Sequence, residues 1–182
     1  MRSNRDRAVA AAVELLGTEG LRSLTHARVD ERAGLPKGST SNHFRTRAAL
    51  LDGVLGWMLE SELPEVDSAS RGPATVAELV ESLVGVYEFM TGPNRTVTTA
   101  RMVLLMEAAH DPALREALSR GRATMEAALL PSLVRLGAPD PQLALDAVAA
   151  CFEGLFLHDL GRHALVEPRP VLDLVVRAAL GR

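Results

Sequence analysis

With a single cysteine, Cys151, among its 182 residues, the chain cannot close an internal disulfide, and a cytoplasmic location is the simplest expectation. Long uncharged apolar runs are missing as well. The most apolar stretch, Leu143 to Leu160, is interrupted by Asp146, Glu153 and Asp159, which argues against a membrane span. The opening Met1-Arg-Ser-Asn-Arg5 is polar and charged, so no secretion signal is expected. No serine sits in a nucleophile elbow and no glycine-rich loop is spaced to cradle a phosphate, which leaves catalysis without a candidate residue. No internal repeat, low-complexity tract or convincing strand pattern is present. Excess positive charge is lacking too: the net charge is −3 and the sequence pI about 6.0.

That balance is uneven along the chain. Residues 1–48 carry nine basic and five acidic side chains, a net +4, which leaves −7 for residues 49–182. A polyanion-binding head on an acidic body fits this split, and the modest pI is no argument against DNA binding. Apolar residues make up 47% of the sequence, enough for a sizeable core.

The head is most legible between Leu24 and Leu51. Thr25 is a good N-cap for a short helix, with Val29 and Ala33 as its apolar stripe. Ala33-Gly34-Leu35 ends that helix where glycine tolerates a left-handed backbone. Leu35 can fill the angle between helices, and Pro36 suits the start of the next one. The spacing predicts a second helix over residues 37–44 and a third capped by Thr46, opening at Arg47. Two short helices around a tight turn make a helix–turn–helix.

The polar residues on the second helix suit a DNA groove. Lys37, Ser39, Thr40, Ser41, Asn42 and His43 sit where a recognition helix meets base edges. Lysine can donate to guanine, asparagine can pair bidentately with adenine, and a threonine methyl can pack on thymine. Thr25, Arg28, Arg45 and Arg47 flank them, the arginines being placed for phosphates, which fix register without reading sequence.

The body reads as helix after helix. Leu50 to about Leu63 continues the helix leaving the head, and Pro64 with Asp67–Pro73 predicts a loop. Thr75-Val-Ala-Glu78 is a candidate capping box opening a helix to about Met90. Thr91-Gly-Pro-Asn94 breaks it before a helix over about 95–110. Asp111-Pro112 and Asp140-Pro141 each pair an N-cap with a proline at the first helical position. They open helices to about Leu136 and about His163, and residues 168–180 make the last. The fold class is all-α, with about nine helices.

Ser3 to about Ser61 resembles the DNA-binding domain of the tetracycline-repressor (TetR) family of transcription regulators. The likeness rests on Ala8…Ala11…Leu15-Leu16 closing at Glu19-Gly20, Leu24-Thr25, Ala33-Gly34-Leu35, Lys37-Gly38-Ser39, His43-Phe44 and Thr46-Arg47…Leu50-Leu51. The family commonly has Leu-Tyr where this chain has Thr40-Ser41, and a lysine where it has Arg47. The resemblance implies a helix–turn–helix domain over 1–48, with the connecting helix extending the likeness to about 61. Residues 49–182 would then form an effector-binding and dimerisation domain.

It further implies a homodimer on a palindromic double-stranded operator, formed through helices at about 141–163 and 168–180. Ala147, Ala150, Gly154 and Gly161 make one side of the former small, and Val171, Leu174, Val175 and Ala178 give the latter an apolar stripe. A small-molecule effector pocket is implied in the body, with Trp57, Met58, Phe89, Met90, Met102, Met106, Met125, Phe152, Phe156 and His158 as candidate lining. Repression released by that effector is the expected function, with no enzyme activity, no cofactor and no membrane partner.

Other signals remain conceivable on the same fold. Glu107-Ala-Ala-His110 places a carboxylate and an imidazole on one helix face, but a di-iron bundle needs two such motifs and further glutamates. His110, His158 or His163 could serve a metal effector, and Cys151 a thiol sensor, although a thiol in an apolar run is ordinarily inert.

Overall fold

A computed structural model describes residues 3–162 and 166–182. Among these there are nine α-helices and no strand: α1 Asn4–Glu19, α2 His26–Ala33, α3 Ser39–His43, α4 Arg47–Arg71, α5 Val76–Thr91, α6 Arg95–Glu107, α7 Pro112–Arg135, α8 Pro141–Phe156 and α9 Pro168–Ala179. Helix α8 runs on into a widened π-type turn, Leu157–Gly161. His163 lies outside the described residues. No described helix is long and apolar enough to cross a membrane.

The chain forms two compact units that are not contiguous in sequence: Met1–Ser61 with Arg95–Gly121, and Glu62–Asn94 with Arg122–Arg182. The first is built on α1. Ser3 and Asp6 exchange hydrogen bonds in a capping box, the Asp6 amide donating to Ser3 Oγ and the Ser3 amide to the Asp6 carboxylate. Ala8, Val9, Ala12, Val13, Leu15 and Leu16 are buried along α1, more than a single stripe, because α6 covers one side and α2 another. Val97, Ala100 and Leu104 of α6 join Leu24, Val29, Phe44, Leu50, Val54 and Met58 in one core.

In the second unit α9 packs on both α5 and α8. Its Leu172 and Val176, with Leu180 just beyond its end, recur every four residues and are buried. Asp140 caps α8 by accepting from the Leu143 amide at 3.0 Å, and Asp111 accepts from the Ala113 and Leu114 amides at the start of α7. Thr75 caps α5 as expected, but Glu78 reaches one residue further back, to the Ala74 amide at 2.8 Å.

Two expected boundaries move. Helix α4 does not stop before Pro64 but continues to Arg71. An interior proline costs a hydrogen bond and crowds the preceding turn. Tertiary contacts within the second unit outweigh that cost. Buried Glu62 accepts from Asn94 Nδ2 at 2.9 Å, and the Ser70 carbonyl accepts from Ser132 Oγ and from Arg135 Nη2 at 3.1 Å. Conversely, the second helix of the helix–turn–helix is shorter than predicted, because Lys37 and Gly38 belong to the turn.

Candidate nucleic-acid interface

The turn is fixed from three directions. Thr25 Oγ1 accepts from the Arg28 amide at 3.3 Å and starts α2. Gly34 ends it at φ 61°, in the left-handed region that favours glycine. Arg7 reaches across from α1 and donates to the Ala33 and Gly34 carbonyls at 2.7 and 3.1 Å. These are groups that a helix end otherwise leaves unpaired. Leu35 is buried in the angle, its amide on the Asp30 carbonyl at 2.8 Å. Pro36 opens a turn rather than a helix, and its carbonyl accepts from both the amide and the hydroxyl of Ser39.

Helix α3 follows, and its sides are unequal. Lys37, Ser41, Asn42 and His43 are exposed and Ser39 is half-buried. Thr40 has no accessible surface; its hydroxyl donates to Asp30 Oδ1 at 2.5 Å. Thr40 is therefore turned away from any ligand on this face, because one helical position separates it by about 100° from Ser41. Phe44 closes α3 and is buried, with the Arg5 guanidinium 5.3 Å over its ring and Gly53 of α4 against its edge.

The flanking cations are held in place. Arg28 pairs with Glu19 at 2.6 Å, while Arg32 bridges Glu14 and Glu19. The Arg28 guanidinium, with Arg32 beside it, holds the Glu19 carboxyl below its usual range against a smaller opposing desolvation. Arg47 donates to the Leu21 carbonyl at 3.2 Å, and Arg45 and Arg47 are exposed. Thr46 caps α4 through the Ala49 amide.

Asp30 and His26 were not among the candidate site residues, yet both touch α3. The sequence signal was available: a carboxylate next to Val29 on the apolar side of a short helix, with a histidine four residues earlier on the same face. Burial alone would raise the Asp30 pKa, but hydrogen bonds from the Thr40 hydroxyl, the Thr40 amide and the Gly38 amide, with His26 nearby, outweigh it and the net shift is downward.

The candidate effector residues divide between the units. Trp57, Met58, Met102 and Met106 belong to the first, where Met58 is core and Met106 is 64% exposed. Phe89, Met90, Met125, Phe152, Phe156 and His158 belong to the second. Here Phe156 stacks on Tyr87 at 5.8 Å and meets Phe152 edge-on at 5.7 Å. Tyr87 is an addition to the sequence-predicted set. His158 Nδ1 is buried and has no hydrogen-bond partner among the described residues. Burial pushes the Cys151 thiol up. No group of three or more His, Cys, Asp or Glu among the described residues could hold a metal ion.

On α9, opposite its buried stripe, Leu174 is 70% exposed and Ala178 is exposed, with Val171 and Val175 half-buried. On α8, Leu143 and Ala150 are exposed, Ala147 and Gly154 half-buried.

Residues 8–54 match the family described as bacterial regulatory proteins, tetR family. Residues 71–182 match the tetracyclin repressor-like C-terminal domain. No curated protein matches the chain. Among solved structures, a transcriptional regulator (RHA1_ro04179) from Rhodococcus sp. Rha1 is 21% identical with a TM-score of 0.86, over 98% of this chain and 97% of that one. The TetR-family member SCO1917 from Streptomyces coelicolor A3 is 23% identical with a TM-score of 0.74, over 98% and 99%. The multidrug binding protein EbrR, complexed with ethidium, is 26% identical with a TM-score of 0.76, over 97% and 99%.

Proposed function

This chain belongs to the TetR family of bacterial regulators, which are non-enzymatic DNA-binding transcription factors, and from that premise we propose that it is a cytoplasmic repressor that binds a palindromic operator as a homodimer and is released by a small-molecule effector. The observation that carries the reading is the exposed row Ser41, Asn42 and His43 on a short helix, with exposed Lys37 in the turn before it and exposed Arg45 and Arg47 after it. Base-reading groups face outward while phosphate-binding cations flank them. Residues 1–48 are the DNA-binding part in this reading, and residues 49–182 bind the effector and dimerise.

Dimerisation is supported by apolar side chains of α8 and α9 that stand exposed among the described residues: Leu143 is 65% and Leu174 70% exposed. Two copies of α3 about 34–36 Å apart would meet successive turns of the major groove. The effector pocket is supported by the Tyr87, Phe156 and Phe152 rings with His158 Nδ1 buried and unpartnered among the described residues. An effector with an apolar face and a group able to donate to or accept from an imidazole suits that lining.

The switch needs two states of the dimer that the effector binds unequally. Helix α4 is the candidate lever, being one continuous helix from the head at Arg47 to Arg71. Coupling of this kind is typically about 1–3 kcal/mol, or roughly 5–150-fold in operator affinity. Selection of bound fragments from genomic DNA, followed by mobility-shift titration with compounds that raise the melting temperature, tests the whole reading. A selected fragment bound two protomers at a time and released by such a compound is the expected result. Operator affinity unchanged by a tightly bound compound would contradict effector release.

A further inference from the structure

Helix α3 has five residues, well below the length that sustains an isolated helix in water, and its N-cap is Gly38, which has no side chain to cap it. Both of its ends are held from α2 instead. At the N-terminal end the Asp30 carboxylate accepts from the Gly38 amide, the Thr40 amide and the Thr40 hydroxyl at 2.7, 2.7 and 2.5 Å. At the C-terminal end His26 Nε2–H donates to the Phe44 carbonyl at 2.7 Å. The two side chains lie one turn apart on one face of α2.

We propose that His26 and Asp30 are positioning residues for base reading, a clamp that sets the rotation of α3 about its own axis. Thr40 is the point it grips. With Thr40 held inward, Ser41, Asn42 and His43 face outward, and a slip of one position would replace the whole row. Base discrimination requires donors held to within about 0.5 Å and 10–20°, which a five-residue helix without a clamp does not provide. Arg45 and Arg47 lie beyond α3, so their phosphate contacts do not depend on the clamp. Loss of the clamp therefore lowers the preference for the right sequence more than it lowers affinity for DNA in general.

This rests on the reading that α3 meets base edges, and the experiment separates the two. The full-length wild-type protein is used to enrich duplexes from a random-sequence pool. Dissociation constants are then measured for the enriched duplex and a scrambled duplex of the same composition at one salt concentration. Asp30→Ala should lower the ratio between them about tenfold, while affinity for the scrambled duplex stays within about twofold. Thr40→Val, which has the same shape without the hydroxyl, should lower it about threefold, and Thr40→Ser should restore it. If Asp30→Ala does not fold, the Thr40→Val and Thr40→Ser pair decides. A ratio kept within about twofold in the folded variants, or an equal loss on both duplexes, would overturn the clamp alone. If the wild-type protein enriches no sequence, the base-reading role of α3 falls and the positioning role falls with it.

Discussion

Gly17 on α1 meets the backbone of Thr96 in α6 with no room for a side chain: a Cβ there would overlap the Thr96 carbonyl oxygen and stand 2.7 Å from its Cγ2. Replacing a mid-helix glycine by alanine ordinarily favours the helix by about 1 kcal/mol. Here the obstacle is main chain and cannot rotate aside, so Gly17→Ala should cost about 1–3 kcal/mol through displacement of α6. Gly85→Ala on α5, where a Cβ would meet nothing within 4 Å, is the control and should gain up to about 1 kcal/mol. Urea unfolding of the two variants checks this. A Gly17→Ala midpoint at or above that of the wild type would contradict the packing of α6 on α1.

Acid should weaken the head through Asp30. Its folded pKa is lowered from the ordinary 3.8, chiefly against the burial that would raise it. A carboxyl with a depressed folded pKa contributes stability that is complete above its unfolded value and lost as pH falls through the folded one. The difference in unfolding free energy between wild type and Asp30→Asn should therefore be largest near neutral pH and shrink below about pH 4. A difference that stays constant down to about pH 2.5 would mean that the folded environment does not lower the Asp30 pKa.

The helix–turn–helix could be read from the sequence because local chemistry specifies it: Thr25 as cap, Gly34 in the left-handed region, Leu35 in the angle. Most of the candidate contact residues are exposed for the same reason. Thr40 was not legible. The helical period places it among polar neighbours, and only the long-range bond to Asp30 explains why a threonine is fully buried there. The run of α4 past Pro64 was hidden similarly, since the partners of Ser70 are Ser132 and Arg135, more than 60 positions away. Local rules identify breakers, but they cannot weigh a proline against tertiary hydrogen bonds. The sharing of candidate pocket residues between two units had no sequence signal, because apolar side chains look alike in core and in cavity.

Lys37 is the sole lysine of the chain, and it is exposed. An amine-directed reagent should label it in the free protein and be blocked when the enriched duplex is bound. Lys37→Ala and Asn42→Ala should alter sequence preference by about 1–3 kcal/mol at the affected position, whereas Arg47→Ala should weaken binding to all duplexes and reduce the salt slope by about one. Equal loss of preference in all three variants would contradict this division of roles.

Cys151 should be a poor redox sensor. Burial pushes its thiol up, and the thiolate is the reactive form. A chromogenic disulfide reagent at neutral pH should modify the native protein far more slowly than the urea-unfolded protein. Cys151→Ser should leave operator binding and its response to mild oxidant unchanged. Oxidant-driven release of DNA that disappears in Cys151→Ser would establish thiol sensing instead.

Leu174 stands 70% exposed on the side of α9 opposite Leu172 and Val176, so its side chain contributes nothing to the core of the single chain. A charge there should leave the fold intact, since the side chain is mostly exposed among the described residues. In a dimer the same charge would be buried twice, once from each copy, at a cost of several kcal/mol per ion. Leu174→Asp should therefore be a helical monomer by sedimentation equilibrium at concentrations where the wild type is dimeric. It should also bind the palindromic fragment far more weakly, because one head contacts only one half-site. A Leu174→Asp protein that remains dimeric would place the subunit interface elsewhere on the surface.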